Sequence, residues 1–253
     1  MKNPRALLCI VASILLLNGC SINTSKESNP QHPRIYCSND SKAALIESFS
    51  NVEWKKELIE KKKENLEKYI LLCEEDSSWL LSRLQMNWET MHSEVYLKGG
   101  DFSHSDGQAP VPTVRFSGTR DWATDFRSPA IEDIEPYFDD SRGMFFENKH
   151  TSEKEWVHPS EVGHGIETIN RQIMSLIADA AFLYWYTGEE KYAEFAAPVF
   201  FSYIDGMHYR NPPTVIDNSS QHGISGLATF EVIHEQIVIQ LCLAYDFLFD
   251  YFQ

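Results

Sequence analysis

Two groups of polar residues in this sequence have the types and spacing for chemistry. The first is segment 99–126, GGDFSHSDGQAPVPTVRFSGTRDWATDF, which gathers Arg115, Arg120, Trp122 and Asp125, with Arg127 just beyond. A guanidinium grips a carboxylate or sulfate through two parallel hydrogen bonds, and an indole face packs on the C–H surface of a sugar ring. Together these groups could hold an acidic saccharide. Equally, Asp121, Asp125, Glu132 and Asp133 stand near enough to pair with the arginines and tie the loop together. The second group is Glu231, His234 and Glu235, whose spacing of three and four puts them on one face of an otherwise apolar helix. Charged side chains there are costly to bury without partners. That face is expected to meet a cleft or a polar network, with His222 in the turn 218–223 (NSSQHG) just upstream.

Several chemistries are excluded or disfavoured. His234-Glu235 begins like the HExxH zinc helix, but residue 238 is Val, so the second histidine ligand is missing. His158 and His164 have no ligand-like spacing, and no metal or cofactor is expected. The sequence has neither a phosphate-cradling glycine loop nor a GxSxG nucleophile elbow. The 253 residues carry 37 acidic and 22 basic side chains, a net charge of −15, which argues against nucleic acid as a partner. At 43% apolar residues the chain is globular.

Residues 1–20 read MKNPRALLCIVASILLLNGC. Lys2 and Arg5 head a twelve-residue apolar stretch, too short for a mature membrane span and suited to a signal-peptide core. Leu17-Asn18-Gly19-Cys20 resembles the lipobox of bacterial lipoproteins, which implies cleavage before Cys20 and acylation of its thiol. The expected organisation is a lipoprotein signal peptide over 1–19, a flexible polar tether over 20–31 and a folded domain over 32–253. The protein is then expected in the bacterial cell envelope, anchored by lipid alone to the outer membrane and facing the periplasm or the cell surface. Cys37, Cys73 and Cys242 match no metal or redox spacing, and no disulfide framework is indicated.

The elements needed to position the polar groups read as helices. Asn39, Asp40 or Ser41 can cap a first helix, and a second places Trp54, Leu58, Leu66, Tyr69, Ile70 and Cys73 on one stripe. The Lys61-Lys62-Lys63 run on its other face reads as a solvated surface. Periodicity fades over about 99–165, a long irregular region in which short helices are expected at 121–126 and 131–137. Ile166, Ile169, Ile173, Leu176, Ala180 and Leu183 then mark a strong amphipathic helix ended by Thr187-Gly188. Glu189 and Glu190 open its partner, with Tyr192, Phe195 and Val199 inward and a kink or restart expected at Pro198. A last helix is expected over about 227–252. With no comparable strand alternation, the predicted class is all-α.

Three segments carry a family resemblance. HPRIY with the following WKKELIEKKKENLEKY, the hairpin DAAFLYWYTGEEKYAEFAAPVF, and LAYDFLFDYF together resemble polysaccharide lyases of the heparinase II/III and alginate lyase type. The resemblance implies an incomplete (α/α) toroid of antiparallel helix hairpins. It also implies β-elimination on a uronic-acid polysaccharide: the carboxylate is neutralised, a Tyr or His base takes the C5 proton, and a Tyr acid protonates the leaving oxygen. In that family the catalytic Asn or His and Tyr follow the YDWLYD-like helix, so none is carried onto a position here. The expectation is the N-terminal part of a longer lyase, with apolar helix faces left uncovered. Arg115, Arg120, Trp122, Asp125, His222, Glu231, His234 and Glu235 remain substrate-binding candidates. A glycan-binding helical lipoprotein and a toroidal glycoside hydrolase are the alternatives.

Overall fold

The computed structural model describes residues 31–88, 93–96, 102–105, 111–115, 123–136, 144–158, 161–208 and 235–253. Within His32–Gln253, one compact unit, five α-helices are described: α1 (Lys42–Asn51), α2 (Glu53–Glu75), α3 (Gly165–Thr187), α4 (Glu190–His208) and α5 (Glu235–Leu248). The protein is mostly helical. Among the described residues no helix is long and apolar enough to cross a membrane.

The core is organised around α3, which packs along both α4 and α5 and touches α2. Its predicted stripe is buried throughout, Ile166, Ile169 and Ile173 completely. Each such side chain contributes roughly 1.5–3 kcal/mol through burial. Gly188 ends the helix at φ 77°, the left-handed conformation that its missing Cβ permits. Tyr192, Phe195 and Val199 are the inward face of α4, as the spacing predicts. Pro198 lies inside α4 without ending it.

The first two helices follow their predicted positions with one correction. The Ser41 hydroxyl accepts the Ser38 N–H at 3.1 Å and donates to the Ser38 carbonyl at 2.8 Å, closing a 3-10 turn (Asn39–Ser41) ahead of α1. On α2, Leu66, Tyr69 and Ile70 are buried, but Trp54 and Leu58 are exposed and Ile59 is the inward residue of the first half. Lys62 pairs with Asp179 of α3 and Lys63 with Glu60, so two of the three clustered lysines are spent on local ion pairs.

The all-α expectation is corrected by seven short strands: β1 (Met86–Asn87), β2 (Ser93–Tyr96), β3 (Phe102–Ser105), β4 (Thr113–Val114), β5 (Phe126–Arg127), β6 (Met144–Asn148) and β7 (Lys154–Val157). They form two antiparallel ribbons, β1–β4 and β2–β3, and a three-stranded antiparallel sheet in the order β5-β6-β7. Where a helix is expected over 121–126, the described residues 123–125 are not helical and lead into β5, and of the one expected at 131–137 the described residues 131–136 hold only a 3-10 turn (Ile131–Asp133). Strands of two to five residues are too short for alternation to register in sequence; pairing decides them. The tight β6–β7 turn does leave a local signature, because the Asn148 side chain accepts the His150 N–H at 2.9 Å. In the sheet, Phe126, Met144, Phe146 and Val157 face the core, while Phe145 and Trp156 pack together on the other side.

A buried polar clip closes the fold from end to end. Asp246 on α5 receives His32 Nδ1 at 2.6 Å and the backbone N–H groups of Arg34 and Ile35, each at 2.9 Å. Burial disfavours its ionised form, but the Ile35, Arg34 and His32 donors outweigh that and hold its carboxyl below the usual carboxylate range. The His32 ring stacks on Phe249, centroids 4.0 Å apart. Asn39 extends the clip, donating to the His32 carbonyl at 2.6 Å and accepting Trp185 Nε1–H from α3 at 2.9 Å. Elsewhere Phe201 on α4 and Ile239 and Tyr245 on α5 are exposed.

Candidate functional site

The start of α3 brings the central helix against the three-stranded sheet and opens a cleft of about 410 Å³. Gly163, at φ 57°, turns the chain into the helix, and His164 occupies its N-cap position without a side-chain capping bond. Gly165 makes the approach close: a Cβ there would lie 2.6 Å from the Phe146 ring and 3.4 Å from Ser128 Oγ. The cleft volume lies within the ~300–1,000 Å³ range of small-ligand sites.

The lining mixes three kinds of surface. Phe126 and Val162 supply an apolar floor, and Thr124, Ser128 and Thr168 supply hydroxyls. Arg127, Lys149 and His164 supply the basic groups, and among the described residues that line the cleft none is acidic. In a chain with 37 acidic residues, that local composition stands against the global charge. Arg127 is partly spent, its Nε lying 3.6 Å from Glu147 across the β5–β6 ladder. Lys149 Nζ donates to the Thr124 carbonyl at 2.5 Å, which places the ammonium without neutralising it. The Lys149 backbone N–H donates to the Asp125 carbonyl at 2.7 Å and fixes the base of that side chain.

From the cleft inward, His164 just before α3 and Glu167 and Asn170 on it recur at steps of three and are all buried. His164 Nδ1 and Glu167 Oε2 are 3.8 Å apart. Asn170 accepts the Gln85 N–H at 2.8 Å and donates to the Gln85 carbonyl at 3.2 Å, pinning the chain just before β1. The same Gln85 carbonyl accepts the Arg115 N–H at 3.3 Å, so Arg115 follows β4 into this polar layer and is itself buried.

Of the residues singled out by sequence, Arg115 belongs to that layer and does not line the cleft. Asp125 sits beside the cleft, exposed, and accepts His150 Nε2–H at 2.9 Å; it braces the turn after β6. Glu235 is the first residue of α5. Arg120, Trp122, His222, Glu231, His234 and Cys20 lie outside the described residues. The structure thus joins Arg127, named by sequence, and His164, weighed there only as a metal ligand, with Lys149, Ser128 and Thr168, which were not named. A trace of the polar layer was present in the sequence, since Glu167 and Asn170 follow Ile166 and Ile169 and repeat at a step of three along the flank of that stripe.

Comparisons with protein families, characterised proteins and solved structures find no match to this chain.

Proposed function

We propose that this is an exported lipoprotein, anchored through Cys20 in the bacterial envelope, whose folded body is part of an (α/α) toroid of a polysaccharide lyase acting on uronic-acid polysaccharides. The observation that carries the reading is the His32–Asp246 clip. It joins HPRIY to LAYDFLFDYF, two of the three segments on which the family resemblance rests, although they lie 214 residues apart. The α3–α4 hairpin, which contains the third segment, packs against the same α5. A basic, hydroxyl-bearing cleft in an acidic protein is in keeping with an acidic saccharide as the partner. Elimination needs the uronate carboxylate neutralised before the C5 proton becomes acidic enough to leave.

The test is to incubate the full-length natural protein with alginate and with glycosaminoglycans and follow the ultraviolet absorbance of the unsaturated uronate. Rising absorbance supports elimination. New reducing ends without it identify a hydrolase, and retention of glycan without cleavage identifies a binding lipoprotein. Incorporation of labelled fatty acid that is lost in Cys20→Ala tests the anchor separately.

A further inference from the structure

We infer that the cleft at the start of α3 is a subsite for one acidic sugar unit, binding its carboxylate or sulfate at Lys149; the saccharide part of this assignment rests on the function proposed above. An anion subsite needs a cation that is placed but not already neutralised. Lys149 meets both conditions, because among the described residues the only hydrogen-bond partner of its ammonium is the neutral carbonyl of Thr124. Arg127, by contrast, divides its charge with Glu147, so it supports the anion from a weaker position.

The neighbours of Lys149 suit a sugar better than a bare ion. Among the described residues, the Ser128 and Thr168 hydroxyls make no hydrogen bond, so both remain to meet ring hydroxyls or a second anion oxygen. Phe126 forms an apolar wall on which the C–H face of a pyranose can lie. The first turn of α3 adds the positive end of the helix dipole, offset in part by Glu167 in that same turn. Two carboxylates near Lys149 are already paired, Asp125 with His150 and Glu147 with Arg127. The result is one cation, two open hydroxyls and an apolar wall around a space large enough for a sugar ring.

The experiment uses the full chain and isothermal titration with three probes: a short oligouronate, its carboxyl-reduced neutral counterpart, and a sulfated neutral saccharide. The oligouronate is expected to bind at least about tenfold more tightly than its reduced form, because the charge-assisted contact is lost with the carboxylate. Lys149→Ala should weaken it roughly fivefold, and Lys149→Arg should restore most of the affinity. A sulfated saccharide that binds as tightly, with the same Lys149 dependence, assigns sulfate as a ligand of the same site. Equal binding of the charged and reduced saccharides, or full affinity in Lys149→Ala, overturns the assignment. Lys149-dependent binding by a protein that performs no elimination keeps the subsite and rejects the lyase. Elimination at unchanged kcat/KM in Lys149→Ala keeps the lyase and rejects the subsite.

Discussion

Replacing Asp246 by Ala removes the acceptor for three donors that converge from the N-terminal segment: His32 Nδ1, Arg34 N–H and Ile35 N–H. The His32 and Asp246 side chains are 4% and 2% exposed, so water does not substitute freely for the lost carboxylate. Breaking a buried charge-bearing pair by removing one partner costs about 3–5 kcal/mol. That is a large share of the ~5–15 kcal/mol holding a typical domain together. Asp246→Asn separates charge from shape, because its amide oxygen can keep the two backbone donors while the negative charge is gone. A loss of about 1.5–3 kcal/mol is expected, the worth of a hydrogen bond to a charged group. His32→Ala should cost about 3 kcal/mol from the same bond and the stacking on Phe249. Urea unfolding of the single variants and of the double variant yields the coupling, expected near 1.5–3 kcal/mol. Asp246 holds a lowered pKa, so its contribution is complete above about pH 4 and disappears as pH falls through the folded-state value. Asp246→Ala should therefore flatten the acid limb of the stability curve. A loss below about 1 kcal/mol in Asp246→Ala, or additivity of the two single variants, would refute this account of how the N-terminal segment is held.

Gly165→Ala drives a methyl group to 2.6 Å from the Phe146 ring, and overpacking of this kind costs about 1–3 kcal/mol, measurable as a lowered urea midpoint. Glu132 supplies a second pH-linked contact. Burial alone would raise its carboxyl, but hydrogen bonds from Lys68 Nζ at 2.8 Å and Tyr69 Oη–H at 2.7 Å bring it down to about 2. Its contribution is lost only as pH falls from the ordinary glutamate range toward that value, so Tyr69→Phe should make stability decline at higher pH than in the wild type. Among Cys37, Cys73 and Cys242, the exposed Cys242 should react first with a thiol reagent under native conditions. Burial raises the Cys37 and Cys73 thiols and slows them; equal rates at all three sites would contradict the packing of the segment before the first 3-10 turn, of α2 and of α5.

The helices were legible because each carries its own evidence. The α3 stripe repeats over about five turns, Gly188 stands where the helix must stop, and Glu190 opens α4 beside the positive end of its dipole. The strands were not legible, because β1, β4 and β5 are two residues long and exist only through partners distant in sequence. The site divides in the same way. Arg115 and Arg127 were visible as arginines in one unusual segment, yet one is buried beside Gln85 and the other pairs across a ladder. Lys149 drew no notice because a lone lysine after an asparagine has no signature until the chain leading into β5 brings the Thr124 carbonyl to it.

The sequence by itself determined the charge of the protein and the helical hairpin at its centre. Those properties are sums or short-range periodicities, and each is complete within a few turns of chain. Only the tertiary structure decided that His32 and Asp246 form one buried pair and that a basic cleft opens where α3 meets the sheet. Both depend on long-range pairings whose partners compensate one another's desolvation, and no local pattern records which distant group supplies that compensation.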